Sequence, residues 1–203
     1  MKTIFLLLIS TFYALASLIP YKSYATITNV TNKEVILDNA IPNNMSALVI
    51  RMLDNSEYAI AYIKKVANNR AKIIDKDPLN GGKLANIKPI VKVGDKVEAG
   101  FLYNKYILLA PNKEAYDSIK SSFKLHPISS DLFLAYLKSK RKNSPNALDY
   151  KEFAKLLGVG LFIIAKNNSI ELYDPISKSV VKKVPFTFDN SIEIKPFYTT
   201  LAE

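Results

Sequence analysis

The hydrophobic pattern changes its period near residue 105, and this change constrains the fold more than any other feature. Before it, apolar residues alternate in short runs that recur about every ten residues and are separated by turn signals. After it, segments with helical spacing alternate with apolar strands. The chain is therefore predicted to be α+β, with a small β-barrel or sandwich followed by a compact α/β subdomain.

The first part is predicted to contain short strands and turns. A hairpin is predicted around Gly94-Asp95, because valines and alanine alternate on both sides of this turn signal. The other predicted strands cover residues 24–30, 33–38, 47–53, 57–66 and 71–75.

Three helices are predicted in the second part. Asn112 is a candidate N-cap for the first helix, and Ser129 or Ser130 for the second. Asp149, with Glu152 three residues later, resembles a capping box for the third. The predicted strands around these helices cover residues 106–110, 159–166, 169–173 and 179–184.

The N-terminus has the composition of a cleavable secretion signal. Lys2 precedes an apolar run over residues 4–15, and Ala14 and Ala16 provide the small side chains of a cleavage site. A transmembrane anchor is the alternative, but the run is shorter than the roughly 20 residues that span a bilayer. The predicted organisation is a signal at 1–16, a β-rich subdomain at 17–104 and an α/β subdomain at 105–203, with no integral membrane segment after cleavage.

Composition narrows the classes of partner. The chain has no cysteine, which excludes disulfides, a thiolate nucleophile and a lipidated cysteine after the signal. Its formal net charge is +10, which suits an acidic partner, an anionic lipid surface or nucleic acid. Only three of the 28 cations are arginine, and arginine is the residue that reads bases and clamps phosphates. Nucleic acid is therefore not expected as a partner.

No arrangement of residues predicts catalysis, a metal site or a cofactor site. His126, the only histidine, lies next to Ser129, Ser130 and Asp131, but these are consecutive in a segment that begins a helix. A catalytic triad brings its members together from different elements, so the protein is predicted not to be an enzyme. The acidic residues near Asp75 lack the spacing of a calcium loop.

A cluster of cations is the most distinctive surface feature of the sequence. Lys138, Lys140, Arg141 and Lys142 follow the predicted second helix, and a helix C-terminus favours only one or two cations. The cluster is predicted to be a partner-binding patch, and a solvated helix end is the alternative. Lys182 and Lys183, together with Lys178, would extend the patch if the last strand lies alongside.

Three long segments carry a resemblance to a known family. They read VKVGDKVEAGFLYNKYILLAPNKEAYDSIKSSF, HPISSDLFLAYL and LGVGLFIIAKNNSIELYD, in this order along the chain. They resemble the N-terminal domain of plasminogen-binding proteins exported by flagellated, spiral-shaped bacteria. The resemblance implies binding of a host protein through lysines, because the kringle modules of plasminogen accept lysine side chains, best at a C-terminus or beside a carboxylate. This chain ends at Glu203, so internal lysines would be needed.

Two functional hypotheses follow. The leading one is a non-enzymatic periplasmic scaffold protein that binds other envelope proteins, in a large homo- or hetero-oligomeric assembly such as the flagellar motor scaffold. It rests on the secretion signal, which by itself leads to the periplasm. The alternative is a plasminogen-binding protein at the cell surface that uses exposed lysines.

Overall fold

A computed structural model describes residues 18–76, 90–166, 168–188 and 195–200. The predicted cleavage residues Ala14 and Ala16 lie outside this part of the chain. No helix within the described part is long and apolar enough to cross a membrane.

The first half forms a closed barrel of six strands in the order β1-β2-β5-β4-β3-β6. Buried and exposed positions alternate in the short strands, because one face of each strand points into the barrel. In β2, Val35 and Leu37 are buried and Ile36 between them is exposed. The strands are β1 (Ser23–Val30), β2 (Glu34–Leu37), β3 (Ser46–Leu53), β4 (Ser56–Ala67), β5 (Arg70–Asp75) and β6 (Lys96–Ala99).

The last strand of the barrel closes it. β6 pairs antiparallel with β1 on one side, where Tyr24 faces Glu98, and with β3 on the other, where Ile50 faces Lys96. Register shifts interrupt the pairings of β1 with β2 and of β3 with β4, and such bulges increase the twist that closure needs. Closure identifies the first half as a barrel, which is one of the two predicted architectures, and excludes a sandwich.

The predicted hairpin around Gly94-Asp95 is wrong. Only β6 follows this turn as a strand, and the residues before it form no strand, with Val91 buried but Val93 exposed. The turn instead attaches to β1, because Gly94 N–H donates to the Ile27 carbonyl (2.8 Å) and Ile27 N–H to the Asp95 carbonyl (3.0 Å). The glycine is needed for a backbone φ of +91°.

The second half is a four-stranded sheet with three helices. The sheet order is β10-β9-β8-β7; β7 runs parallel to β8 and the other pairs are antiparallel. A parallel pair requires a crossover connection, and the three helices lie within it. The elements are β7 (Tyr106–Leu109), α1 (Lys113–Ser122), α2 (Ser130–Ser139), α3 (Ala147–Leu157), β8 (Leu161–Lys166), β9 (Ser169–Asp174) and β10 (Ser179–Pro185).

Side-chain caps explain where the helices begin. Asn112 accepts a hydrogen bond from Ala115 N–H and Ser129 from Asp131 N–H, which confirms both predicted N-caps. The third helix has a capping box, but it pairs Asn146 with Asp149 rather than Asp149 with Glu152. The box therefore lies three residues before the predicted position.

Aromatic packing joins α2 and α3 to one face of the sheet. The Phe133 ring lies 4.8 Å from that of Phe153 and 5.1 Å from that of Phe162, measured between ring centroids. These rings form a buried cluster with Ile107 of β7. On the other face, Ile119 of α1 belongs to a larger cluster that continues into the barrel.

The two halves are joined by buried polar contacts as well as by this shared core. The Asp174 carboxylate at the end of β9 accepts hydrogen bonds from Ser46 N–H of the barrel (2.6 Å) and from the Tyr103 hydroxyl (2.8 Å). Asp75 of β5 forms ion pairs with Lys151 (2.7 Å) and Lys155 (2.8 Å) of α3. The predicted α+β class, with a barrel before a part containing three helices, is confirmed; the boundary between 104 and 105 stays a prediction.

Candidate protein-binding surface

The predicted cation cluster forms the connection between α2 and α3. We call residues 138–142 the basic turn. α2 ends at Ser139, and the Lys140 N–H still donates to helical carbonyls, including that of Leu137. Arg141 follows with a left-handed backbone (φ +56°), which turns the chain towards α3. The four cations therefore lie on a short, sharply bent segment at one end of the two helices.

Lys140 is compensated by its surroundings. Its ammonium forms an ion pair with Glu152 of α3 and lies 4.8 Å from the centroid of the Tyr136 ring. The Tyr136 hydroxyl donates to the same carboxylate at 2.9 Å. Hydrogen bonding to Glu152 raises the pKa of Lys140, and the bond from Lys140 lowers the pKa of Glu152. Lys140 is exposed, but most of its charge is balanced locally.

Lys142 has a structural role. Its ammonium lies 2.5 Å from Oδ1 of Asp149, whose side chain is only 1% exposed. The other oxygen of this carboxylate accepts the Asn146 N–H and completes the capping box. Burial acts to raise the pKa of Asp149, but the hydrogen bonds from Lys142 and Asn146 outweigh it and hold this pKa below its usual value.

A pH dependence follows from this carboxylate. A depressed native pKa means that the Asp149 contribution to stability is present above the ordinary value of 3.8 and is lost as pH falls through the native pKa. We expect Asp149→Asn to lower the free energy of unfolding by about 1 kcal/mol at pH 7, the typical worth of a helix cap. Urea denaturation between pH 7 and pH 3 should show the two proteins converging at low pH. A constant difference would contradict this assignment.

Lys138 and Arg141 differ from their two neighbours. Both side chains are exposed, and among the described residues neither takes part in an ion pair. The basic turn therefore presents two uncompensated cations next to the exposed Lys140–Glu152 pair. Of the four cations predicted from the sequence, two are free to meet a partner's carboxylate and two are held by α3.

The structure separates the remaining predicted cations from the basic turn. Lys182 and Lys183 belong to β10, whereas α2 packs over β7, which is the opposite edge of the sheet. Lys183 is paired across the strands with Glu171 at 3.1 Å, and Lys182 is half-buried. Lys178 precedes β10 at the same edge. These lysines therefore lie at the other edge of the sheet from the strand that α2 contacts, and their role in binding a partner stays a prediction.

The residues weighed for catalysis have structural contacts. The backbone N–H of His126 donates to the Tyr106 hydroxyl at 3.0 Å, and Asp131 accepts the backbone N–H of Thr200 at 2.9 Å. Ser129 is the cap of α2, and Ser130 donates to the carbonyl of Tyr198 at 3.1 Å. Within the described residues, no group of three histidines or carboxylates is placed to hold a metal ion.

Comparison with known proteins gives the family. Residues 22–203 match the family described as "Plasminogen-binding protein pgbA N-terminal". This match covers nearly the whole chain, and the protein belongs to this family. A search of curated proteins gives no significant match. The comparison favours the plasminogen-binding alternative over the flagellar scaffold, because no finding supports the scaffold.

Proposed function

We propose that the chain is an exported, non-enzymatic binding domain for plasminogen, and that the basic turn is its contact surface. The proposal takes its partner from the family to which residues 22–203 belong. It takes its surface from the two uncompensated cations, Lys138 and Arg141, on an exposed bend. This second observation carries the proposal, because an unpaired, exposed cation is available to a partner's carboxylate.

The Lys140–Glu152 pair adds to this surface. It places an ammonium and a carboxylate side by side in water, with the lysine 38% and the glutamate 42% exposed. The resemblance implies that plasminogen favours a lysine beside a carboxylate, and this pair has that character. Tyr136, under the ammonium, supplies an aromatic face. Aromatic and cationic side chains are enriched at protein-binding hot spots.

A double variant tests this surface. We expect Lys138→Ser with Arg141→Ser to weaken plasminogen binding about tenfold, equivalent to about 1.4 kcal/mol. The fold should be unaffected, because neither side chain is paired within the described residues. Surface plasmon resonance with immobilised plasminogen measures the change, with melting temperature as the folding control.

A matched control keeps this test specific to position rather than to net charge. Lys33 and Lys72 are exposed residues of the barrel, so Lys33→Ser with Lys72→Ser removes the same charge elsewhere. This control should bind like the wild type. Equal losses in both double variants would mean that only total charge matters, and the basic turn would lose its assigned role.

The proposed partner also requires a location outside the cell. A secretion signal alone leads to the periplasm, where plasminogen is absent, so the proposal places the domain at the cell surface. Protease added to intact cells should therefore degrade the protein. Complete protection would favour the periplasmic hypothesis and count against plasminogen as the physiological partner.

A further inference from the structure

The outer wall of the barrel carries a groove that the sequence patterns did not predict. It has a volume of about 420 Å³ and lies across β1, β6, β3 and the start of β4. Its apolar part is formed by Tyr24, Ile50 and Met52. These residues come together because Tyr24 pairs across the sheet with Glu98, and Ile50 with Lys96, on the two sides of β6.

Two large side chains in this groove are exposed. Tyr24 is 64% and Met52 is 54% accessible to solvent. Single exposed apolar residues are ordinary, but an aromatic ring and a methionine that line the same groove form an apolar patch with a polar rim. Aromatic residues and methionine are also enriched where protein surfaces meet. The groove therefore has the composition of a contact surface.

The charge of the groove is opposite to that of the chain. Asp38 and Glu57 are exposed on its rim, and among the described residues neither takes part in an ion pair. Glu98 also lines the groove but is paired with Lys22 at 2.5 Å. Among the described residues that line the groove, Lys96 is the one cation. In a chain with a formal net charge of +10, this leaves a local excess of negative charge.

We propose that this groove receives the basic turn of a second copy of the same chain. The complementarity is between Asp38 and Glu57 in the groove and Lys138 and Arg141 on the turn, and each of these four charges lacks an ion-pair partner within its own described chain. The stem of a long basic side chain can also cover Met52. The contact that we propose is head-to-tail, with the turn of one chain in the groove of the next, rather than a reciprocal two-fold symmetric pair.

A head-to-tail contact leaves one free groove and one free turn on every pair. The assembly therefore continues into a ring or a filament instead of stopping at two chains. Exposed charge pairs are individually weak and are screened by salt. The association should thus be reversible, concentration-dependent and several times weaker at about 0.5 M than at about 0.05 M ionic strength.

A charge-swap experiment tests the contact directly. Sedimentation velocity of the mature chain should show species larger than a monomer that increase with concentration. The groove variant Asp38→Lys with Glu57→Lys and the turn variant Lys138→Glu with Arg141→Glu should each remain monomeric. An equimolar mixture should assemble again, because the reversed groove of one variant then faces the reversed turn of the other.

Controls make each outcome decisive. Asp38 accepts a hydrogen bond from Thr26 N–H at 2.7 Å, so Glu57→Lys alone, which removes no described hydrogen bond, is the variant to use if the double change fails to fold. Asp117→Lys, an exposed change on α1, should assemble like the wild type. A wild type that is monomeric at every concentration and low salt would overturn the proposal. So would groove and turn variants that assemble unchanged, or a mixture that stays monomeric.

This contact is independent of plasminogen, although both would use the basic turn. Groove variants should lose self-association and keep plasminogen binding, whereas the turn variant should lose both. Loss of plasminogen binding in the groove variants would instead mean that assembly is needed for that function. Failure to bind plasminogen in any variant would leave the charge-swap result untouched.

Discussion

Replacing Gly160 by alanine is expected to lower the free energy of unfolding by about 3 kcal/mol, at the upper end of what overpacking costs. A Cβ atom at this position would lie 2.3 Å from both the carbonyl carbon and the oxygen of Leu102, and 2.7 Å from the Tyr103 nitrogen. These are backbone atoms, so no side-chain rotation can relieve the clash. The backbone of 102–103 would have to move away from the start of β8.

Gly94 provides the matched control for this prediction. A Cβ atom there meets nothing within 4 Å, and only its φ of +91° opposes a side chain. Gly94→Ala should therefore lower the free energy of unfolding by about 1–2 kcal/mol, the usual cost of a non-glycine residue with a left-handed backbone. Urea denaturation of the two variants should show the larger loss for Gly160→Ala. Equal losses would mean that the close approach of Leu102 is not what requires glycine at position 160.

Asp174→Ala is expected to have the largest effect of any single change, a loss of about 4 kcal/mol or more. The Asp174 side chain is fully buried and accepts four hydrogen bonds. Alanine would leave all four donors without an acceptor, and each such buried group costs about 1–3 kcal/mol. The four donors are Ser46 N–H, the Tyr103 hydroxyl, Ile176 N–H and Ser177 N–H.

Tyr103→Phe isolates one of these four bonds. It removes the hydroxyl but keeps the ring, which is 2% exposed and part of the core, so the expected loss is about 1 kcal/mol. Comparison of both variants by urea denaturation gives the cost of the remaining three donors. If Asp174→Ala costs no more than Tyr103→Phe, the carboxylate is not the link between barrel and sheet that its contacts indicate.

The barrel was predictable because its signal is local. Alternation with period two and turns at regular spacing identify strands one at a time, and five of the six barrel strands follow those patterns closely. The error at Gly94-Asp95 has a physical cause. The dipeptide does form a turn, but the Gly94 N–H and the Asp95 carbonyl form backbone hydrogen bonds with Ile27, about seventy residues earlier, rather than with a neighbouring strand of a hairpin. Such a distant partner leaves no trace in local sequence.

The surface was predicted less completely for the same reason. The sequence places four cations together in the basic turn, but it does not show which of them are paired with a carboxylate. In the folded protein, Glu152 and Asp149 of α3 form ion pairs with Lys140 and Lys142. The spacing of Asn146 and Asp149 fits a capping box, and this was the sequence signal that places Asp149 at the start of α3, near the basic turn.

The barrel groove could not be found from sequence. Its residues come from β1, β3, β4, β6 and the segment after β2, which together span about 75 residues of the chain, and no single strand carries a distinctive pattern. Asp38, Met52 and Glu57 each read as an ordinary loop or strand residue. Only the closed barrel, which brings β6 between β1 and β3, places them around one cavity.

Titration of immobilised plasminogen with the mature chain, with and without free lysine, tests whether the chain binds plasminogen through the basic turn. We predict saturable binding that free lysine abolishes and that Lys138→Ser with Arg141→Ser weakens about tenfold, while Lys33→Ser with Lys72→Ser leaves it unchanged. Absence of binding, or binding that neither free lysine nor the change in the basic turn reduces, would contradict it.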